Sequence, residues 1–135
     1  MRVCVFVLAY ALGAWVAAAA ESETLQGKLV QRDGQPPALD TGGKLVPLDG
    51  DKATLGVIND KRLNGVDMQA KGHFASPGVF LIDPIHTRAI LVRRDGKLKL
   101  VTYWCDICSI RTYSPGPCWC CQRETTLDLR DPDAQ

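Results

Sequence analysis

Five of the chain's six cysteines lie in one short segment near its C-terminus. They form the pattern C-x2-C-x9-C-x-C-C, whose members are Cys105, Cys108, Cys118, Cys120 and Cys121. A turn-forming Ser-Pro-Gly-Pro run at 114–117 separates two cysteine groups, so the chain can reverse and bring them together. Thiols in this arrangement suit three kinds of chemistry: metal binding, disulfide bonding and thiol–disulfide exchange.

A metal site is the first interpretation. A Cys-x-x-Cys turn directs two thiolates at one ion, and further thiolates after a chain reversal complete a tetrahedral shell. All five cysteines are therefore candidate ligands, and His73 or His86 is a candidate replacement for one of them. Zinc is favoured over copper(I), although soft thiolates accept both ions. Seven basic residues between Arg88 and Arg123, against two acidic ones, would offset the negative charge of four thiolates around a divalent ion.

Disulfide bonds are the second interpretation, and they are the ordinary use of cysteine outside the cytoplasm. Five thiols would give two bridges and one free thiol, and the spacing does not determine the connectivity. The odd number counts against this interpretation, because an unpaired thiol in an oxidising compartment is open to oxidation.

Thiol–disulfide exchange at Cys105-x-x-Cys108 is the third interpretation. Arg111 and the basic residues of the 88–99 segment would lower the pKa of a nearby thiol. The flanking residues are typical of strands, however, whereas the thioredoxin motif opens a helix after a strand. A c-type haem is excluded, because Ser109 stands where its attachment motif requires His.

No other motif indicates catalysis. The sequence contains no Gly-rich phosphate loop, no Gly-x-Ser-x-Gly elbow and no His-Glu-x-x-His helix. The prediction is a non-catalytic binding or accessory module with a structural metal site and an unknown protein or small ligand as its partner. A disulfide-stapled domain and a redox protein are the alternatives.

The first twenty residues predict a cleavable signal peptide. Arg2 precedes an uncharged apolar run over residues 3–16, and small residues at 17–20 come just before Glu21. A transmembrane anchor is the rival interpretation, but a span needs about 20 predominantly apolar residues and this run ends in alanines. We expect a secreted or periplasmic protein with no membrane span after cleavage, and Cys4 is lost with the signal.

The charge balance argues against two classes of partner. The chain has 16 basic and 15 acidic residues, and removal of Arg2 makes the two numbers equal. A balanced chain has no long-range attraction to nucleic acid or to anionic membranes. Neither is expected as a partner.

The elements that position the cysteines are predicted to be strands. Short runs of Val, Leu, Ile, Tyr and Thr alternate with Gly, Pro, Asp and Asn, which is typical of strands joined by turns. The predicted strands span residues 24–32, 44–48, 67–74, 79–82, 89–93 and 97–104. The last two flank Asp95-Gly96 and predict an antiparallel hairpin that leads into Cys105. Residues 53–66 are interpreted as a loop or one helical turn.

Five or six short strands favour an all-β fold, a small partly open barrel. Residues 24–32, 59–74 and 79–98 resemble small exported bacterial OB-fold-like domains, where a Gly-containing first strand precedes one of the type Gly-x-x-Val/Met-x-x-x-Gly. The resemblance implies a five-stranded barrel and no particular activity, since such folds carry many ligands. The predicted units are a signal peptide at 1–20, an OB-like β domain at 21–104, a cysteine-rich hairpin at 105–124 and an acidic tail at 125–135.

Overall fold

The computed structural model describes residues 21–133, so the predicted signal peptide lies outside the described residues. Within this part of the chain the strands are β1 (Glu23–Val30), β2 (Ala38–Asp40), β3 (Leu45–Asp49), β4 (Asp67–Ser76), β5 (Val79–Ile82), β6 (Ile90–Arg94), β7 (Lys97–Cys105), β8 (Ile110–Thr112) and β9 (Thr126–Arg130). The helices are α1 (Lys52–Ile58), a 3₁₀ turn (Lys61–Leu63) and α2 (His86–Ala89).

Five strands close into a barrel in the order β1-β2-β3-β5-β4 and back to β1. Lys28 of β1 stands at the branch, since it pairs with Asp67 of β4 and with Asp40 of β2. The parallel pairing of β3 with β5 completes the circuit, and the other barrel pairs are antiparallel. The predicted small all-β barrel is confirmed, and its five strands form a closed circuit where a partly open one was expected.

Two glycines allow the barrel strands to approach one another closely. A Cβ on Gly72 would lie 2.0 Å from the carbonyl oxygen of Leu81, at the point where β4 changes partner from β1 to β5. A Cβ on Gly27 would lie 2.4 Å from the carbonyl oxygen of Asp40. Any larger residue would push the strands apart, so the barrel requires glycine at both positions.

Residues 53–66 contain more helix than the sequence predicts. The carboxylate of Asp51 accepts a hydrogen bond of 2.8 Å from the N–H of Thr54 and caps the start of α1. Val57 and Ile58 are fully buried against the barrel, as is Leu63 of the 3₁₀ turn. Burial of these apolar side chains stabilises a helix that is too short to be stable alone.

The hairpin of β6 and β7 extends the sheet beyond the barrel. Asp95 and Gly96 form its two-residue turn with positive φ values of 52° and 74°, so the predicted hairpin is confirmed. β6 joins this hairpin to β4. In β7, Leu100 pairs with Leu91 of β6 on one edge and with Arg130 of β9 on the other. The segment predicted as an acidic tail therefore supplies a strand.

The buried apolar side chains form one continuous hydrophobic core. It runs through the barrel, under α1 and along the inner face of the β6–β7 hairpin as far as Tyr103. Among residues 21–133, no helix is both long enough and apolar enough to cross a membrane.

Candidate metal centre

The first cysteine turn is the tip of the β7–β8 hairpin. Cys105 ends β7 and pairs with Ile110, which begins β8. The four residues between them form the turn, in which Ser109 has a φ of 52°. The N–H of Cys108 points back to the Sγ of Cys105 at 3.5 Å. The turn thus places two sulfurs on the same side of the chain.

The second cysteine turn repeats this arrangement. A bridge between Pro117 and Glu124 closes its base, and the N–H of Cys118 donates to the carbonyl of Arg123 at 2.7 Å. Its two clustered cysteines are Cys118 and Cys121, which have the same spacing as the pair in the first turn. The N–H groups of Cys121 and Cys120 lower the pKa of Cys118 to about 7. Backbone dipoles in this turn therefore favour a thiolate.

The two turns bring four sulfurs together. The Sγ atoms of Cys105, Cys108, Cys118 and Cys121 all lie within 4.8 Å of one another, and those of Cys105 and Cys121 are 3.6 Å apart. All five described cysteines are free thiols. Sulfurs bound tetrahedrally at about 2.3 Å from zinc are about 3.8 Å apart. The cluster has the chemistry and the spacing to hold a metal ion.

Burial and mutual contact oppose ionisation elsewhere in the cluster. The pKa of Cys108 is raised, first by the neighbouring Cys120 thiol and then by burial and the other cysteines. The N–H of Cys108 favours the thiolate of Cys105, yet burial and the thiols of Cys121 and Cys118 raise its pKa overall. Several thiolates so close together repel one another, and a cation at their centre would remove that cost.

Cys120 lies outside the group of four sulfurs, although the sequence placed it among the candidate ligands. Its side chain is exposed, whereas Cys105 and Cys118 are buried. Trp119 is also exposed, at 72% of its surface, so it does not cover the cluster. The second turn therefore directs Cys118 and Cys121 inward and residues 119–120 outward.

The two candidate histidines are not part of the cluster. His86 Nε2 lies 2.7 Å from the carbonyl oxygen of Tyr113, and His73 Nδ1 lies 3.9 Å from Oδ1 of Asp83. Neither imidazole is grouped with the cysteine sulfurs. The structure thus brings four cysteines together without either histidine.

The basic residues expected near the cysteines are mostly elsewhere. Arg93, Arg94, Lys97 and Lys99 lie at the opposite end of β7, where the β6–β7 turn begins the strand. At about 3.3 Å per residue, Lys97 is about 26 Å from Cys105 along β7. That distance exceeds a Debye length, so this group does not stabilise the cysteine thiolates.

Arg111, in β8, bonds side chains of both β7 and β9. Its guanidinium donates to Oγ1 of Thr102 at 2.8 Å, bonds the carboxylate of Asp128 and stacks over the ring of Trp104 at 4.9 Å. These contacts join β8, β7 and β9 just beside the cluster. The sequence predicts that Arg111 acts on the thiols. Asp128 comes within its reach only through the pairing of β9 with β7, which the sequence does not reveal.

A second set of contacts ties the cysteine segment to the barrel. Arg62, in the 3₁₀ turn, donates to the carbonyl of Thr125 at 2.8 Å and is held by the carboxylate of Asp60. Its guanidinium lies 5.1 Å from the ring centroid of Tyr103, two residues before Cys105. Arg62 therefore joins both chain segments that lead to the cluster. No sequence motif marks this residue.

A cleft of about 510 Å³ lies where β1, β2, β4 and the β6–β7 hairpin meet. Cross-strand register puts Asp40, Lys28, Asp67 and Arg93 in one row with alternating charges. None of the ion pairs among the described residues joins these side chains to one another. The balanced row suits a ligand that carries both signs of charge better than a polyanion.

Comparison of this chain with protein-family models, with curated proteins and with solved structures finds no match.

Proposed function

We propose that this protein is an exported, non-catalytic accessory module whose fold is completed by a zinc ion bound to Cys105, Cys108, Cys118 and Cys121. The observation that carries the proposal is the convergence of these four sulfurs within 4.8 Å. Two symmetrical Cys-x-x-Cys turns from separate parts of the chain are the usual way to build a tetrahedral zinc site.

Several features support a structural role for the ion. Four protein ligands fill the tetrahedral shell of zinc, so no open position is left for water or substrate. The ion would join the β7–β8 hairpin to the 117–124 turn, whose own backbone hydrogen bonds run between Cys118 and residues 122 and 123 of the same turn. A small domain with a modest core gains stability from such a cross-link.

Ser22, Asp83 and His73 lie together but do not form a hydrolytic triad. Ser22 Oγ bonds the Asp83 carboxylate, and His73 lies on the other oxygen of the same carboxylate. The carboxylate therefore stands between the hydroxyl and the imidazole, whereas a hydrolytic triad needs the imidazole in the middle. This arrangement supports a non-catalytic module.

Metal analysis with matched cysteine variants tests the zinc site. Protein purified without chelator should contain one zinc per chain by elemental analysis, and Cys118→Ser should lose it because a buried ligand is removed. Cys120→Ser is the matched control, since it removes a thiol from the same turn but outside the group of four, and it should keep the metal.

Thiol counting on the same samples separates zinc from disulfides. Metal-free wild-type protein with two disulfide bonds would contradict the proposal and favour the disulfide-stapled domain. Disulfide reductase activity that disappears in Cys105→Ser would instead favour the redox alternative.

Export has its own test. Residues 1–20 should direct the chain out of the cytoplasm and be removed, so N-terminal sequencing of the exported product should begin at Glu21. A product that keeps residues 1–20 and stays with the membrane fraction would contradict this part of the proposal.

A further inference from the structure

A row of four charged side chains with alternating signs lines the cleft between β1, β2, β4 and the β6–β7 hairpin. Asp40 of β2 lies opposite Lys28 of β1, which in turn lies opposite Asp67 of β4. Asp67 lies opposite Arg93 of β6. Residues directly opposite one another on antiparallel strands share a face of the sheet, so the four side chains form one row. The cleft volume of about 510 Å³ is within the usual range of small-molecule sites.

The two ends of this row carry the charges that the protein compensates least. Each of the two inner residues has a neighbour of opposite charge on both sides. Asp40 has Leu45 of β3 as its other neighbour, and Arg93 has Leu98 of β7. None of the ion pairs among the described residues includes a member of the row. A negative charge at one end and a positive charge at the other are therefore available to a ligand.

Backbone groups orient both end side chains. Oδ1 of Asp40 accepts hydrogen bonds of 3.0 Å from the N–H groups of Gly43 and Gly42, which lower the pKa of Asp40 and leave Oδ2 for a ligand. Nη1 of Arg93 donates to the carbonyl of Gly96 at 3.3 Å, which leaves Nε and Nη2 to bond a carboxylate. Oriented end groups lose less conformational freedom when a ligand binds.

Two glutamines line the same cleft beside the charged row. Gln26 lies opposite Gln69, and its Nε2 donates to Oε1 of Gln69 at 3.3 Å. That bond leaves Oε1 of Gln26 to accept from a ligand and Nε2 of Gln69 to donate to one. An acceptor and a donor side by side match the N–H and C=O groups of a peptide backbone.

The length of the row determines the size of the ligand. Neighbouring strands are about 4.8 Å apart, so the three spacings from Asp40 to Arg93 give at most about 14 Å in a curved sheet. An extended peptide advances about 3.5 Å per residue, so its two ends span this distance when it has about three or four residues. A single amino acid reaches only one end of the row.

We propose that this cleft binds free peptides of three or four residues, with the N-terminal ammonium on Asp40 and the C-terminal carboxylate on Arg93. The two inner charges compensate each other beneath the middle of the peptide, and the two glutamines bond its amide groups. No cysteine takes part, so the peptide site goes beyond the proposed zinc site and does not depend on it.

Calorimetric titration of the full exported chain with tetraglycine tests the proposal. Tetraglycine with free ends should bind, because it carries both charges at the required separation. Its N-acetylated, C-amidated form lacks both charges, and free glycine is too short to reach both ends. Each of these two should bind at least about tenfold more weakly than tetraglycine.

Matched variants assign the two ends. Asp40→Asn removes the charge but keeps a side-chain oxygen for the loop N–H groups, and Arg93→Gln removes the guanidinium. Each should weaken tetraglycine binding about tenfold and leave the binding of the blocked peptide unchanged. Asp33→Asn and Arg94→Gln are the controls, since neither residue lines the cleft, and both should bind tetraglycine as the wild type does.

Equal affinity for tetraglycine and its blocked form would overturn the inference, as would wild-type affinity in both Asp40→Asn and Arg93→Gln. The absence of tetraglycine binding at millimolar concentration would do the same. Zinc content is measured on the same samples. A metal-free sample that binds tetraglycine would support the peptide site while contradicting the zinc site, so the two proposals fail separately.

Discussion

At the scale of single residues, the cluster depends on which way each side chain points from a tight turn. Cys118 and Cys121 have the same spacing as Cys105 and Cys108, and each pair faces inward. Cys120 interrupts the second pair but points to solvent. The five residues are chemically identical, so only their positions in the fold distinguish the four clustered thiols from the exposed one.

Tyr103 carries a buried hydroxyl that has no hydrogen-bond partner. We expect Tyr103→Phe to leave the free energy of unfolding unchanged or to raise it by up to about 1 kcal/mol, because an unsatisfied polar group leaves the core. Denaturant unfolding at pH 7 measures this difference. A loss of more than about 1 kcal/mol would mean that the hydroxyl is bonded in solution.

The same substitution makes a prediction about pH. Burial, with the nearby Asp60 carboxylate, raises the pKa of Tyr103 above its ordinary value of 10.0. The unfolded state therefore loses the phenol proton first. Below pH 10 the ionisation of Tyr103 has no effect on the free energy of unfolding, and as the pH rises further it lowers that free energy progressively. Tyr103→Phe should show a smaller loss of stability than wild type between pH 9 and pH 11, a range taken about the unfolded pKa.

At the scale of elements, β4 is the central strand of the sheet. It pairs with β1, β5 and β6, and it can change partners at Gly72 because no Cβ is present there. The resemblance to OB-fold-like domains rests partly on this Gly-x-x-Met-x-x-x-Gly strand. The second glycine of this pattern, Gly72, is required by the close approach of β5, which the spacing alone does not reveal.

Paired glycine substitutions test this explanation. Gly72→Ala should destabilise the protein by about 2 kcal/mol or more, since its Cβ would overlap the carbonyl of Leu81. Gly56→Ala is the control, because its Cβ in α1 would only make ordinary contact with Pro115 at 3.8 Å. That change should stabilise the helix by about 1 kcal/mol. Thermal unfolding that shows the same sign for both variants would contradict the account.

At the scale of the whole molecule, β7 joins two chemically different regions. Its first residues follow the basic β6–β7 turn, and its last residue is a cluster cysteine. The apolar core of the barrel continues along β6 and β7 as far as Tyr103, and Arg62 contacts both Tyr103 and Thr125 next to the cysteine turns. The four cysteines therefore lie beyond Tyr103, at the edge of this core.

This arrangement predicts a local effect of metal removal. If zinc binds as proposed and is present about 1,000-fold above its dissociation constant, it would add about 4 kcal/mol to stability. Chelation should speed amide hydrogen exchange in residues 105–125 and leave the amides of β1 to β5 protected. Equal loss of protection in both regions would show that the barrel and the cluster unfold as one unit.

Several structural features of this protein can be predicted from its sequence alone. The Asp95-Gly96 turn, the short alternating strands and the paired cysteines depend on local geometry, so the hairpin, the small all-β barrel and a cysteine cluster can all be predicted. Strands as short as β2 and β8 carry too few residues for a pattern. β9 contains only two apolar residues, and its charged neighbours make it look like a tail.

The tertiary structure alone decides three further properties. It closes the barrel through β3 and β5, selects four of five sulfurs for the cluster and pairs β9 with β7. Each depends on contacts between residues distant in sequence, whose geometry is set by packing and strand register. Residue type and spacing supply the sulfur chemistry, and the fold determines which sulfurs can share an ion.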